Sequence, residues 1–164
     1  MMQNNWYAYY ICISGTIYWG DTMKDNKDML SSIVKTAQMG QVGIRSVLPY
    51  ATDSKLKSAL CSQKREYDKI EREAYAIAKI KGWHITELSP VAKLMSNAYA
   101  DTRLMIHGND SKIAAMMING NTRGVIKGLK NKHHSESIDK SVIDLSQKLL
   151  DCENENIRQM QGYV

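Results

Sequence analysis

The sequence has 164 residues, 43% of them hydrophobic and 24% charged, with a formal charge of +5. That is ordinary globular composition and enough chain for one domain with a core of its own. Basic residues are spread along nearly every predicted helix and mostly alternate with acids, so a solvated surface explains most of the excess charge. Three cysteines, Cys12, Cys61 and Cys152, lie too far apart for a CxxC metal site or a disulfide framework, which fits a reducing compartment. With ten Met and no Phe, core volume must come from Met, Leu, Ile and Ala, a helix-favouring set.

Residues 1–22 differ from the rest. They hold Trp6, Tyr7, Tyr9, Tyr10, Tyr18 and Trp19, six of the twelve aromatics (three Trp and nine Tyr), and neither Lys nor Arg. The run is too short for a membrane span and lacks the positive start of a signal peptide. Back-translation of Trp19 to Met23 places a purine-rich stretch just upstream of an ATG, as in a bacterial ribosome-binding site. The expectation is a non-native extension over 1–22 and a native start at Met23, with the folded domain over 23–164; a genuine apolar strand is the alternative.

From Asp28 to Leu48, Leu30, Ile33, Ala37, Gly40, Ile44 and Leu48 recur every three or four residues and Pro49 stops the run, which predicts a first helix. Asp53 or Ser54 caps a second, with Leu56, Leu60, Gln63, Tyr67, Ile70, Ala74 and Ile77 in heptad spacing up to Gly82. The short connection makes these two antiparallel neighbours. Ser89-Pro90 reads as N-cap and first helical residue of a short middle helix through Val91, Leu94, Met95, Ala98 and Met105 to Gly108, suited to a crossover. Asp110 or Ser111 caps the next, where Ile113, Met117, Gly120, Gly124 and Gly128 share a stripe. Glycines inside a helix cost about 1 kcal/mol each relative to Ala, so the stripe predicts a close helix contact. A last helix begins after Ser135 or Ser137 and carries Ile138, Val142, Leu145, Leu149, Cys152, Asn156 and Gln159.

The stretch from Asn26 to His84, through Asp28-Met29-Leu30, Ser54-Lys55-Leu56-Lys57 and Lys81-Gly82-Trp83-His84, resembles the helical hairpin of spore coat F-type and related ferritin-like proteins of unknown function. It covers roughly a third of the chain; the second hairpin, from Met116 to Gly162, is similar in architecture only. The resemblance implies an all-α, ferritin-like antiparallel four-helix bundle with a short crossover helix.

Ferritin-like di-metal sites take a Glu from each of two helices and a Glu-x-x-His pair from each of the others. Here Glu66 is followed by Lys69 and Glu153 by Asn156 where His is required, and Gln41 and Asn119 are amides where carboxylates are wanted. His84, His107, His133 and His134 fall in predicted loops. Glu66 is expected to pair with Lys69 on the surface, and Glu153 to face water beside Arg158. Gln63, Asn156 and Gln159 read as register-setting amides, with a relic cavity for a small polar ligand or lone cation as the alternative. Arg123, Lys127, Lys130, Lys132, His133 and His134 read as a solvated helix end, without the interleaved aromatics of a nucleic-acid surface.

No serine or cysteine arrangement for nucleophilic catalysis and no phosphate-binding loop is present. The sequence therefore predicts no catalytic, cofactor-binding or metal residues. It points to a non-enzymatic interaction or structural bundle, cytoplasmic or in the spore coat, self-associating as a homodimer through the glycine stripe or an exposed helix face, with no membrane or nucleic-acid partner. The rival reading is a metal-binding or redox bundle using Glu66, Glu73 and Glu153, with Glu71 as a substitute ligand.

Overall fold

The computed structural model describes residues 25–92, 109–133 and 138–164. Among them the long elements are helices α1 (Asn26–Val47), α2 (Ser54–Lys81), α3 (Asp110–His133) and α4 (Lys140–Gln161), with a 3-10 turn at Leu48–Tyr50 and no strand. The expected extension over 1–22 and the middle helix beyond Ala92 lie outside the described residues, as do Ser135 and Ser137.

Each helix begins where a short polar side chain can take the free N–H groups of the first turn. Asp25 accepts from Lys27 N and Asp28 N at 2.7 and 2.9 Å, and Asp53 from Leu56 N at 2.8 Å. Two expected caps are displaced. Asn109, not Asp110 or Ser111, caps α3 by accepting from Lys112 N at 2.8 Å, because the Asp110 carboxylate turns outward to Thr52 N, Thr52 Oγ1 and Asp53 N at 2.6 to 2.9 Å. Asp139 caps α4 through Ser141 N at 2.9 Å. Pro49 sits in the 3-10 turn that ends α1. Gly82, at φ 66°, closes α2 in the left-handed conformation that side chains resist, and lets Trp83 N reach back to Ala78 O at 2.9 Å.

The pairings fix the topology. α1 packs on α2, α3 on α4, α2 on α4 and α1 on α3, and α1 also touches α4. Contacts run in opposite senses along neighbours: Gln63 meets Gln159 while Lys81 meets Asp139, so α2 and α4 are antiparallel. Asn131 binds Ser32 while Asp110 binds the end of the α1–α2 turn, so α1 and α3 are antiparallel too. Tyr67 binds Asn121 and Asp53 binds Asp110, which makes α2 and α3 parallel. The link over 82–109 therefore joins opposite ends of the bundle, about 42 Å apart at a rise of 1.5 Å per residue over α2. Its first part is strapped to α1: Thr86 N donates to Ser31 Oγ at 3.0 Å and Leu88 N to Gln38 Oε1 at 2.8 Å. A helical turn then opens at Pro90, with Ala92 N on Ser89 Oγ at 3.2 Å, as the Ser-Pro pair predicts.

The common core holds Leu30, Ile33, Val34, Ala37 and Ile44 of α1, Leu56, Leu60, Tyr67 and Ala74 of α2, Ile113 and Ala114 of α3, and Val142, Leu145 and Met160 of α4. Full burial of an aliphatic or aromatic side chain contributes roughly 1.5–3 kcal/mol, so this cluster is the main source of stability. Two departures from the expected stripes have physical causes. Ala78 replaces Ile77 as the buried residue at the end of α2, because a straight helix drifts about 20° per heptad. In α1 the buried set extends to Ser31, Ser32, Gln38, Gln41 and Ser46, because three helices and the strap surround it. No helix among the described residues is long and apolar enough to cross a membrane.

Candidate functional site

Midway along the core the aliphatic packing gives way to a polar layer. Tyr67 and Gln63 of α2 (each 1% exposed), Asn121 of α3 (3%) and Glu153 and Asn156 of α4 (2% and 3%) are all buried. Two glycines make the space. A Cβ on Gly40 of α1 would collide with the Tyr67 ring, and one on Gly124 of α3 would lie 2.5 Å from Glu153 Oε1.

The Tyr67 hydroxyl is the hub. It donates to Asn121 Oδ1 at 2.8 Å and accepts from Asn156 Nδ2 at 3.2 Å, and it faces the Glu153 carboxyl. Gln63 Nε2 donates to Gln159 Oε1 at 3.0 Å. Among the described residues three buried side-chain atoms have no protein partner: Gln63 Oε1, Asn121 Nδ2 and Glu153 Oε2. Burial pushes the Glu153 carboxyl up to about 8 against a small opposing effect of the Tyr67 hydrogen bond, so it is largely a neutral acid at pH 7. Burial first, then the neighbouring Glu153 and Glu66, push the Cys152 thiol up to about 12. Tyr67 is raised well above its ordinary value, again chiefly by burial. Neither the Cys152 thiol nor the Tyr67 phenol is therefore activated as a nucleophile at neutral pH.

This arrangement corrects the expectation for Glu153. Arg158 instead holds Glu155, at 2.6 and 2.8 Å, while Glu153 points into the core. The Glu66–Lys69 surface pair is present at 2.7 Å. Gln41 does not face the polar layer; with Gln38 it donates to Glu71, at 2.5 and 2.8 Å, on the strap side of α1 and α2. Asn119 is exposed, and Glu73 pairs with Lys148 at 2.6 Å. Glu66, Glu73 and Glu153 are thus not brought together, and among the described residues no group of three or more His, Cys, Asp or Glu side chains could hold a metal ion.

Of the histidines, His84 is exposed and His133 ends α3, inside a helix where a loop was expected; His107 and His134 lie outside the described residues, as does Cys12. Cys61 and Cys152 are free thiols, both half-buried. Lys127 and Lys130 of the basic stretch are exposed and Arg123 is half-buried. The glycine stripe divides. Gly124 and Gly128 lie against Glu153 and Leu150 of α4, whereas Gly120 faces open space, because four-residue steps rotate a row by about 40° each time.

Glu153 and Asn121 were missed as members of the layer. The available signal was the 3.6-residue period, which gives Leu149, Glu153, Asn156 and Met160 as the inward row of α4 where the strict heptad gives Cys152 and Gln159. Compared with protein-family models, with curated proteins and with solved structures, the chain matches none.

Proposed function

We propose that this chain is a ferritin-like helical bundle that works as a non-enzymatic structural or interaction protein. Two antiparallel hairpins joined by one long crossover are the arrangement ferritin-like bundles use. The observation that carries the functional reading is the composition of the polar layer: its one carboxyl, Glu153, is surrounded by a phenol and amides. Two divalent metals bring four positive charges, and a single buried carboxyl cannot neutralise them after desolvation. The layer is instead suited to fixing the register of α2, α3 and α4, since the Tyr67–Asn121, Asn156–Tyr67 and Gln63–Gln159 hydrogen bonds form in only one alignment.

The glycine contact at Gly124 and Gly128 is filled by α4 of the same chain, so self-association falls to an outer helix face. The specific form of the proposal, from the resemblance of the first hairpin to coat F-type proteins, is a spore-associated role. Metal analysis of protein purified without chelator tests the functional reading. Substoichiometric iron and manganese are expected; near-stoichiometric metal that disappears in Glu153→Ala would overturn it. A tagged chain present only in sporulating cells supports the spore assignment, and constitutive presence removes it.

A further inference from the structure

The second half of α3 reverses the usual amphipathic order. Beyond Met117 its inward row is Asn121, Gly124, Gly128 and Asn131, all buried and none with an apolar side chain. Gly124 and Gly128 lie against Glu153 and Leu150 of α4, while Asn121 and Asn131 hydrogen-bond to Tyr67 and Ser32. The large aliphatic side chains of this half stand on the outside: Ile126 is 49% and Leu129 47% exposed, one turn apart on the same face. A helix end that only carries solvated charge gives no reason for them, since burying such side chains is favourable.

The same face is cationic. Arg123, Lys127 and Lys130 follow one another at four- and three-residue steps, a row along the flank of the Ile126–Leu129 pair. No Asp or Glu occurs from Ser111 to His133, so no acid of α3 beyond its first residue offsets that row. Lys35 of α1 extends it: the Asn131–Ser32 hydrogen bond sets the antiparallel register, and one turn further on Lys35 stands level with Lys127. Lys35 and Lys127 have no carboxylate partner among the described residues. A second copy paired through this face about a two-fold axis would set cation against cation. A nucleic-acid backbone would answer the charges and leave Ile126 and Leu129 in water. An anionic lipid surface answers both, because its headgroups meet the Lys and Arg side chains and its acyl boundary takes the aliphatic pair.

We propose that the outer face of α3 docks on an anionic lipid surface, with Ile126 and Leu129 entering the boundary between headgroups and acyl chains and Arg123, Lys127, Lys130 and Lys35 lying on the headgroups. The contact is peripheral and needs no spanning helix. It goes beyond the structural reading, and it differs from the expectation from sequence of no membrane partner.

The test is co-sedimentation of the full chain with vesicles of phosphatidylglycerol and phosphatidylcholine. Binding to these and not to pure phosphatidylcholine is expected. Lys127→Gln with Lys130→Gln should weaken it by about twentyfold, at about fivefold per charge, and Ile126→Ser with Leu129→Ser by about tenfold. All four positions are exposed, so the variants should melt like the parent chain, which checks their folding. No binding to the anionic vesicles overturns the proposal. Affinity unchanged in the aliphatic variant overturns it as well, and retention of a DNA duplex lost only with the two lysines would assign the row to nucleic acid instead. A dimer of the parent chain that the aliphatic variant dissociates would overturn it in favour of a second copy. Metal content is untouched by any of these results, so failure here is separate from failure of the structural reading.

Discussion

Glu153 concentrates the polar layer's energetics in one proton. In the unfolded chain this carboxyl titrates near its ordinary value of 4.5, and in the folded chain near about 8, so between those values the folded state holds a proton that the unfolded state has released. Stability is then highest below the lower value and falls as pH rises through the window, flattening above the upper one. At about 1.4 kcal/mol per pH unit, the loss from this group alone is on the order of 5 kcal/mol. Glu153→Gln, which keeps the shape and removes the ionisation, should flatten denaturant stability between pH 5 and 8, values set by that window. An unchanged slope in the variant would show that the carboxyl is solvated. Opposite it, Gly124→Leu forces a side chain into the Glu153 carboxyl and should destabilise by about 1–3 kcal/mol, whereas Gly120→Leu should be near neutral because that position is open. Equal melts for the two variants would contradict the α3–α4 contact.

At the scale of elements, polar side chains decide how the helices are joined at their ends and where the crossover runs. Gln38 ties three pieces together: its Nε2 donates to Glu71 on α2, and its Oε1 accepts from Leu88 on the strap. Gln38→Met should release the strap with little global effect, seen as faster amide hydrogen exchange at Leu88 while exchange in α2 and α4 is unchanged. Protection of Leu88 equal to that of the parent would show that the strap is held by something else. Asp110 does the corresponding work at the other end, joining the start of α3 to the α1–α2 turn through three hydrogen bonds. The Thr52 hydroxyl foremost holds its carboxyl below the usual carboxylate range. Asp110→Ala should cost about 1–2 kcal/mol in a denaturant melt, and the first turn of α3 should keep its Asn109 cap.

At the scale of the molecule, the four helices share one core, and its two ends are pinned by different pairs. The Thr52–Asp110 cluster sits at one end, and Lys81–Asp139 with Asn26 on Asp139 N sits at the other. One shared core predicts one cooperative transition, with loss of far-UV circular dichroism and loss of amide protection in α2 and α3 coinciding along a denaturant series. Separate transitions for the α1–α2 and α3–α4 hairpins would show that the polar layer divides the core where it was taken to align it.

Much of this fold is legible in the sequence. Leu30, Ile33 and Ala37, and Leu56, Leu60 and Tyr67, mark helices by spacing alone, and Pro49 and Gly82 stop them, because periodicity and backbone chemistry act within a few residues. The amide character of Gln63 and Asn156 was visible in the same way. What the sequence could not fix is which residues just beside the stripe turn inward. Glu153 reads as a surface acid until α3 brings Gly124 against it, and Asp110 reads as a cap until the α1–α2 turn offers it better donors. Both choices depend on a neighbour distant in the chain, and the free energy of burying a carboxyl or satisfying a backbone N–H exists only once that neighbour is in place.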